Sequence, residues 1–201
     1  MAFGFFSVKP ILELELIREF DEANLSFDEL TKLFVRPKHF FYWNMWNKAF
    51  KKDLYLKTCN NYLDKETKLS MSEDALFFLS YCKFVKNITL LKEALYYYRQ
   101  NENSITNAKN IEKMQENCDE VKFVVNELKN LINESKDEIY KLFANYYCCW
   151  LEIGYLKQLR NIKDIKSKNF LNKIYNFLSY KYHKSIITNK IKKLIRQNNS
   201  R

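Results

Sequence analysis

Apolar residues recur at intervals of three or four positions through the second half of the chain, which is the spacing of one face of an α-helix. This pattern predicts three long helices at roughly 105–133, 136–160 and 168–197, separated by short joints rich in Asn, Ser and Lys. In the first half, the same spacing predicts three shorter helices, with the sequences ILELELIREFDEA, FDELTKLFV and ALFFLSYCKFV. The last of these is expected to end near Asn87.

Two serines stand where the shorter helices are expected to begin. Ser26 and Glu29 have the spacing of a capping box, in which each side chain accepts a hydrogen bond from the other residue's backbone N–H. Ser72 is expected to cap the next helix, with Glu73 and Asp74 in its first turn, where the helix dipole favours negative charge. An aspartate in that position is expected to have a lowered pKa.

Two segments have the composition of β-strands. Residues 1–8 are rich in aromatic side chains, and 88–100 mix β-branched and aromatic residues, with a bend expected near 92–93. The aromatic segment 39–56 is expected to be helical in its second half, and the polar segment 59–69 to be a loop. The predicted fold class is therefore mainly α, with a few short β-strands before residue 100 and a helical bundle after it.

The composition excludes several classes of protein and site. With 47% apolar and 16% aromatic residues, the chain is not a disordered one. Two glycines, Gly4 and Gly154, are too few for a glycine-rich phosphate loop. The five cysteines lack metal-ligand spacing and are expected to be buried free thiols in a reducing cytoplasm. No signal peptide is predicted, and no apolar run approaches the roughly 20 residues that span a bilayer.

Positive charge is concentrated at one end of the chain. The net charge is +10, and residues 162–201 alone hold nine Lys and two Arg against Asp164, so that residues 1–161 are neutral overall. The segment 168–196 has the pattern of a basic amphipathic helix, which either packs its apolar stripe on the preceding helices or lies on an anionic membrane surface. Nucleic acid is not expected as a partner, because the lysines lack interleaved Gly, Arg and aromatic residues.

Three short motifs follow one another in the first half. They are Trp46-Asn47-Lys48, the pair Glu73-Asp74 at a helix start, and Leu95-Tyr96-Tyr97-Tyr98-Arg99, followed by Ser104-Ile105-Thr106. Taken singly, they are typical of core aromatics, a helix cap and a half-buried strand. In this order, over about residues 40–107, they resemble the C-terminal half of bacterial family-2 glycosyltransferases, the inverting GT-A enzymes that build capsule and lipopolysaccharide glycans.

The resemblance implies a catalytic site. Asp74 would be the general base that takes a proton from the acceptor hydroxyl as that oxygen attacks the anomeric carbon of a nucleotide-sugar. Glu73 would assist as a cap or a hydrogen-bond partner. The aromatic face of Trp46 and the amide of Asn47 would bind the sugar. The cations of Lys48 and Arg99 would be directed at the phosphates.

The chain departs from the family pattern at its N-terminal side. It has neither a nucleotide-binding half nor an Asp-x-Asp motif, so no cofactor is expected in this chain and Mg²⁺ or Mn²⁺ only in a complete enzyme. Residues 1–107 are predicted to be the acceptor-side half of a GT-A-like domain, and 108–201 a helical region ending in the basic tail. The chain alone is not expected to bind a nucleotide-sugar tightly.

The function predicted from these features is that of a truncated transferase, the acceptor-side fragment of an enzyme that transfers a sugar to a surface polysaccharide. It would be inactive alone, and whether it is an enzyme by itself is left open. Its expected partners are a sugar acceptor, which is either free or linked to a lipid, and a second copy of the chain or a separate donor-binding chain. The expected location is cytoplasmic and membrane-associated, on the inner face of the cell membrane. The alternative is a non-catalytic helical module that docks on a membrane or a partner protein.

Overall fold

The computed structural model describes residues 2–8, 14–18, 22–37, 43–62, 68–99 and 110–201; for 2–8, 14–18, 92 and 94–99 it describes the backbone alone. This part of the chain is mainly helical, with six helices and a small sheet, which confirms the predicted fold class in its coarse form. The elements are β1 Ala2–Val8, β2 Leu14–Arg18, β3 Ala23–Ser26, α1 Phe27–Phe34, α2 Lys52–Tyr62, α3 Glu73–Cys82, β4 Asn87–Arg99, α4 Ile111–Glu134, α5 Glu138–Lys166 and α6 Phe170–Asn199.

The strands form one sheet in the order β2-β1-β4-β3. Both predicted strands are present as β1 and β4, which run parallel to each other, whereas β2 and β3 pair antiparallel with them. In the register of β1 with β4, Phe3 lies opposite Leu91 and Gly4 opposite Ala94. This shift falls at residues 92–93, where the sequence predicts a bend.

The first predicted helix is wrong over β2, because Leu14–Arg18 is a strand. The segment ILELELIREFDEA matches a helical stripe only if its apolar residues are read at intervals of four. Its core, LELEL, alternates apolar and acidic residues with a period of two, which is the pattern of a strand. The flanking residues 9–13 and 19–21 lie outside the described part of the chain.

The short helix α1 is confirmed, whereas α2 departs from prediction at both ends. The capping box of α1 is confirmed: the Glu29 N–H donates to Ser26 Oγ at 3.2 Å, and the Ser26 N–H donates to the Glu29 carboxylate at 2.8 Å. The helix predicted in the second half of 39–56 is wrong up to Lys51, because α2 begins at Lys52 and the Lys51 N–H donates to the Tyr81 hydroxyl. The loop predicted over 59–69 is wrong at 59–62, which belong to α2. Polar side chains are compatible with a helix there because Thr58 and Asn61 donate to carbonyls of the preceding turn.

The three long helices are confirmed as α4, α5 and α6, and α3 is confirmed although it ends at Cys82, earlier than predicted. Each long helix begins at a residue whose side-chain oxygen accepts a backbone N–H of the first turn: Asn110, Asp137 and Asn169. These caps satisfy donors that the helix itself leaves unpaired.

One apolar core joins the short N-terminal helices to the long ones. Phe143 of α5 is at its centre, with ring centroids 5.1 Å from Phe27 of α1, 6.4 Å from Phe78 of α3 and 4.7 Å from Tyr147. Core residues come from both sides of the boundary predicted near residue 107. The position of α3 is therefore fixed by packing on the long helices.

The end of α6 is fastened to the end of α1. Asn198 is buried, and its Nδ2 donates to the carbonyl oxygens of Thr31 and Lys32 at 3.3 Å and of Val35 at 3.2 Å. Arg201 forms a salt bridge of 2.7 Å with Asp28. Carbonyl oxygens at the end of α1 are thus bound by a residue far away in sequence.

The cysteines are free thiols, and four are buried while Cys59 is half-buried. Burial raises the pKa of the Cys148 thiol to about 12 and that of Cys149 to about 11. Thiols in such surroundings are unreactive. No helix in the described ranges is long and apolar enough to cross a membrane.

Candidate functional site

The first turn of α3 faces the irregular segment 43–51, which contains the Trp-Asn-Lys motif. The Met45 N–H donates to Asp74 Oδ2 at 3.4 Å, a long hydrogen bond, and the Lys48 ammonium is near enough to act on the charge of Asp74. The structure thus brings Asp74 to the turn around Trp46, as the resemblance implies. Glu73 is more exposed than Asp74.

The expectation that Asp74 has a lowered pKa is wrong. Burial of the half-buried side chain raises the pKa of Asp74, and the opposing effects of the Met45 N–H and of the Lys48 charge are smaller. Burial is also the main reason why the pKa of Glu73 is raised. The carboxyl groups at this helix start are therefore better proton acceptors than a solvated capping aspartate.

This shift predicts how the stability of the protein depends on pH. Since folding raises the pKa of Asp74, its contribution to stability is greatest below the unfolded pKa and is lost as pH rises through the folded pKa. We expect Asp74→Asn to become more stable relative to the natural chain between about pH 4 and pH 7. Urea unfolding of both chains across this range measures the effect, and a constant difference in the free energy of unfolding would contradict it.

The prediction that the Ser72 hydroxyl caps α3 is wrong. Ser72 has φ 63°, the one positive value among the described non-glycine residues, and its side chain accepts no hydrogen bond from the described first turn. A capping side chain normally requires an extended backbone at this position. The left-handed conformation costs a serine about 1–2 kcal/mol, so other contacts must hold it.

A substitution at Ser72 separates backbone strain from capping. We expect Ser72→Gly to raise the free energy of unfolding by about 0.5–1 kcal/mol, because glycine adopts positive φ without steric cost. Ser72→Ala is expected to change it by less than about 0.5 kcal/mol, whereas a capping serine would lose about 1 kcal/mol. Urea unfolding distinguishes the two, and a destabilised glycine variant would contradict the strained conformation.

Glu120 of α4 holds the bend that precedes α3. Its carboxylate accepts the N–H groups of Ser70 and Met71, both at 2.7 Å, and the Ser70 hydroxyl at 3.2 Å. Sequence reasoning missed this residue because Glu120 lies about 50 positions away in an ordinary helical pattern, and no local signal marks it. The residue that positions the start of α3 is thus on another helix.

Removal of the Glu120 carboxylate is expected to destabilise the protein by about 2 kcal/mol, since two backbone donors lose a charged acceptor. Glu120→Ala is compared by urea unfolding with Glu116→Ala, one turn earlier on α4, where the carboxylate is exposed and pairs with Lys113. Exposed pairs contribute little, so the control is expected to change stability by less than about 0.5 kcal/mol. Equal effects of the two variants would contradict the anchoring role.

Lys48 is enclosed by its own turn. Its Nζ donates to the Asn44 carbonyl oxygen at 2.6 Å and to Asn47 Oδ1 at 2.7 Å, and it lies 5.0 Å from the centroid of the Phe78 ring. Asn47 is 2% exposed, and Trp46 is half-buried. In this arrangement Asn47 orients Lys48. For Arg99, the other predicted substrate-binding cation, the structure describes only the backbone, which lies in β4.

A small cavity of about 140 Å³ lies beside this turn, with Lys48, Phe50, Phe78 and Tyr81 among its lining residues. Lys48 is common to this cavity and to the surroundings of Asp74. The Tyr81 hydroxyl accepts the Lys51 N–H at 3.0 Å, which fixes one wall. The described residues contain no group of three or more His, Cys, Asp or Glu placed to hold a metal ion.

Comparison of the chain with protein-family models, with curated proteins and with solved structures finds no match. The relation to family-2 glycosyltransferases therefore stays a prediction from the motifs. The geometry of the site is what remains to support a function.

Proposed function

We propose that this chain is the acceptor-side module of an inverting sugar transferase. The observation that carries the proposal is the carboxylate of Asp74, half-buried at the start of a helix and facing a turn with Trp46 and Lys48. Its raised pKa suits a general base better than a solvated aspartate does. The transferase would act on a surface-polysaccharide acceptor.

In the proposed reaction, an acceptor hydroxyl gives its proton to the Asp74 carboxylate. The same oxygen forms a bond to the anomeric carbon of a nucleotide-sugar while the bond from that carbon to the diphosphate breaks, and the diphosphate leaves with the electron pair. The donor would be held by a separate donor-binding half or chain. Residues 45–48 would position the hydroxyl, which is a contribution of geometry more than of acid–base strength.

The cavity beside the turn is of the right character for part of a sugar. Aromatic faces such as those of Phe50 and Tyr81 contact the C–H groups of sugar rings. Glu73, which is more exposed, would bind a second hydroxyl. The Lys48 ammonium is already engaged by two oxygens, so its effect on a substrate would be one of charge.

Titration with a panel of methyl hexosides, followed by two-dimensional ¹H–¹⁵N NMR, tests this proposal. We expect millimolar binding, with shifts confined to the Trp46 indole, residues 45–50 and the first turns of α3. A hydroxyl that donates to Asp74 should also lower the pKa of that carboxyl, measured by ¹³C NMR. Asp74→Asn should weaken binding, while Glu138→Gln on α5 should leave it unchanged. Absence of localised shifts would overturn the proposal.

A second candidate function is a non-catalytic interaction module. The observation that favours it is a large exposed apolar area on α6. Monomeric proteins rarely expose a contiguous apolar patch of this kind without a partner.

A further inference from the structure

Helix α6 has two opposed apolar faces. One packs into the core through Ile187, Ile191 and Leu194, in the C-terminal half of the helix. The other, which we call the outer apolar face, lies in the N-terminal half and consists of Leu171, Tyr175, Leu178, Tyr182 and Ile186.

The five residues of the outer apolar face form one stripe. Their spacing of three or four positions places them along one side of a helix, and at 100° per residue this side is about 150° from the buried one. Each is between 52% and 71% exposed. Single exposed apolar residues are common, but a stripe of five over four turns of helix marks a binding surface.

Charge decides what binds there. Residues 165–201 contain eight Lys and two Arg and no acidic residue. No salt bridge joins an α6 lysine to an acidic side chain in the described ranges. Two copies of this chain paired through the stripe would bring these like charges together, whereas an anionic lipid surface is complementary to them.

The distribution of charge along α6 agrees with a lipid surface. By helical position, the outer side continues beyond Ile186 as Lys192, Lys193 and Arg196, so that an apolar stretch is followed by a basic one on the same side. Tyrosines such as Tyr175 and Tyr182 suit the boundary between acyl chains and headgroups. An interfacial helix uses this combination of an apolar stripe, aromatic residues and lysines.

We propose that α6 lies on an anionic membrane surface, with the outer apolar face inserted among the headgroups and Lys192, Lys193 and Arg196 on the lipid phosphates. This inference deepens the second candidate function and does not depend on Asp74. Its failure would leave the transferase proposal untouched, since that proposal is measured by sugar titration.

Flotation of the full chain with vesicles tests the inference. We expect binding to phosphatidylcholine vesicles that contain about a third phosphatidylglycerol, and much weaker binding to pure phosphatidylcholine. A rise from about 0.1 M to 0.5 M salt should reduce binding to the anionic vesicles, because salt screens surface charge. Equal binding to both vesicle types, or no flotation, would overturn the inference.

Two double variants separate the contribution of the apolar stripe to membrane binding from that of the lysines. Leu171→Glu with Leu178→Glu should lower the partition constant at least about tenfold, and so should Lys192→Glu with Lys193→Glu. The matched control is Tyr55→Glu with Leu56→Glu on α2, which adds the same charge at exposed apolar positions and should leave binding within about twofold. Since all six positions are exposed, circular dichroism should show the same fold.

A different occupant of the stripe has its own signature. If a second copy covers the outer apolar face, sedimentation equilibrium will show a dimer that the Leu171→Glu and Leu178→Glu variant dissociates, and vesicles will not compete with it. That result would overturn the membrane assignment. A monomer that floats only with anionic vesicles supports it.

Discussion

Phe143→Ala is expected to lower the free energy of unfolding by about 3–5 kcal/mol, the range for a phenylalanine deleted from a closed core. Phe143 is fully buried on α5, and its ring contacts Phe27, Phe78 and Tyr147. Those contacts connect α1 and α3 to the long helices, so the loss is larger than that of one hydrophobic contact. Because small domains have a total stability of about 5–15 kcal/mol, this loss is a large fraction of the total.

Urea unfolding followed by circular dichroism measures this loss, with Phe123→Ala on α4 as the control. Phe123 is 40% exposed, so its deletion is expected to cost only about 1–2 kcal/mol. A cost below about 1 kcal/mol for Phe143→Ala would mean that the short helices do not depend on α5. The position of Asp74 at the start of α3 would then not depend on packing against α5.

Asn198→Asp is expected to destabilise the protein by about 3 kcal/mol at neutral pH. The asparagine Nδ2 donates to three carbonyl oxygens at the end of α1, and a carboxylate has no donor and carries a buried negative charge among acceptors. The folded pKa of the new carboxyl is expected to be raised. Stability should therefore be recovered below about pH 4 and lost as pH rises through that folded pKa.

Asn199→Asp is the matched control, since Asn199 is exposed and next in the chain. Its carboxylate meets only the unfavourable end of the α6 dipole, a cost of about 0.3–1 kcal/mol. Thermal or urea unfolding at two pH values compares the two variants. Equal losses, or a loss at position 198 that does not change with pH, would contradict the role of Asn198 as the cap of α1.

Patterns that extend over many residues predicted the fold well. The repeat of the long helices covers 24 to 30 positions in each, so the elements α4, α5 and α6 follow from sequence alone. The capping box of α1 lies within four residues, so it could also be predicted from sequence alone. By contrast β2 has only five residues, and its alternation competes with a helical reading of the same leucines.

At the start of α3, the sequence predicted one neighbour of Asp74 correctly and the direction of its pKa shift incorrectly. Asp74 and the turn at Trp46 are brought together as the motifs imply, whereas the pKa of Asp74 depends on burial that only tertiary packing creates. The bend at Ser70 and Met71, just before α3, is held by Glu120 on another helix, and the residues around position 72 give no local signal of that contact. The sequence pattern did not predict the outer apolar face as a separate surface, because it was interpreted as one apolar stripe whereas α6 is apolar on two sides.

The contact between Glu120 and the bend before α3 has a consequence for how this chain tolerates change over generations. The carboxylate binds the backbone N–H groups of positions 70 and 71, which every residue except proline supplies, so these two hydrogen bonds tolerate most substitutions there. Position 120 has no such freedom. Among diverged descendants, an acid retained at 120 together with the absence of proline at 70 and 71 would be the inherited mark of this architecture.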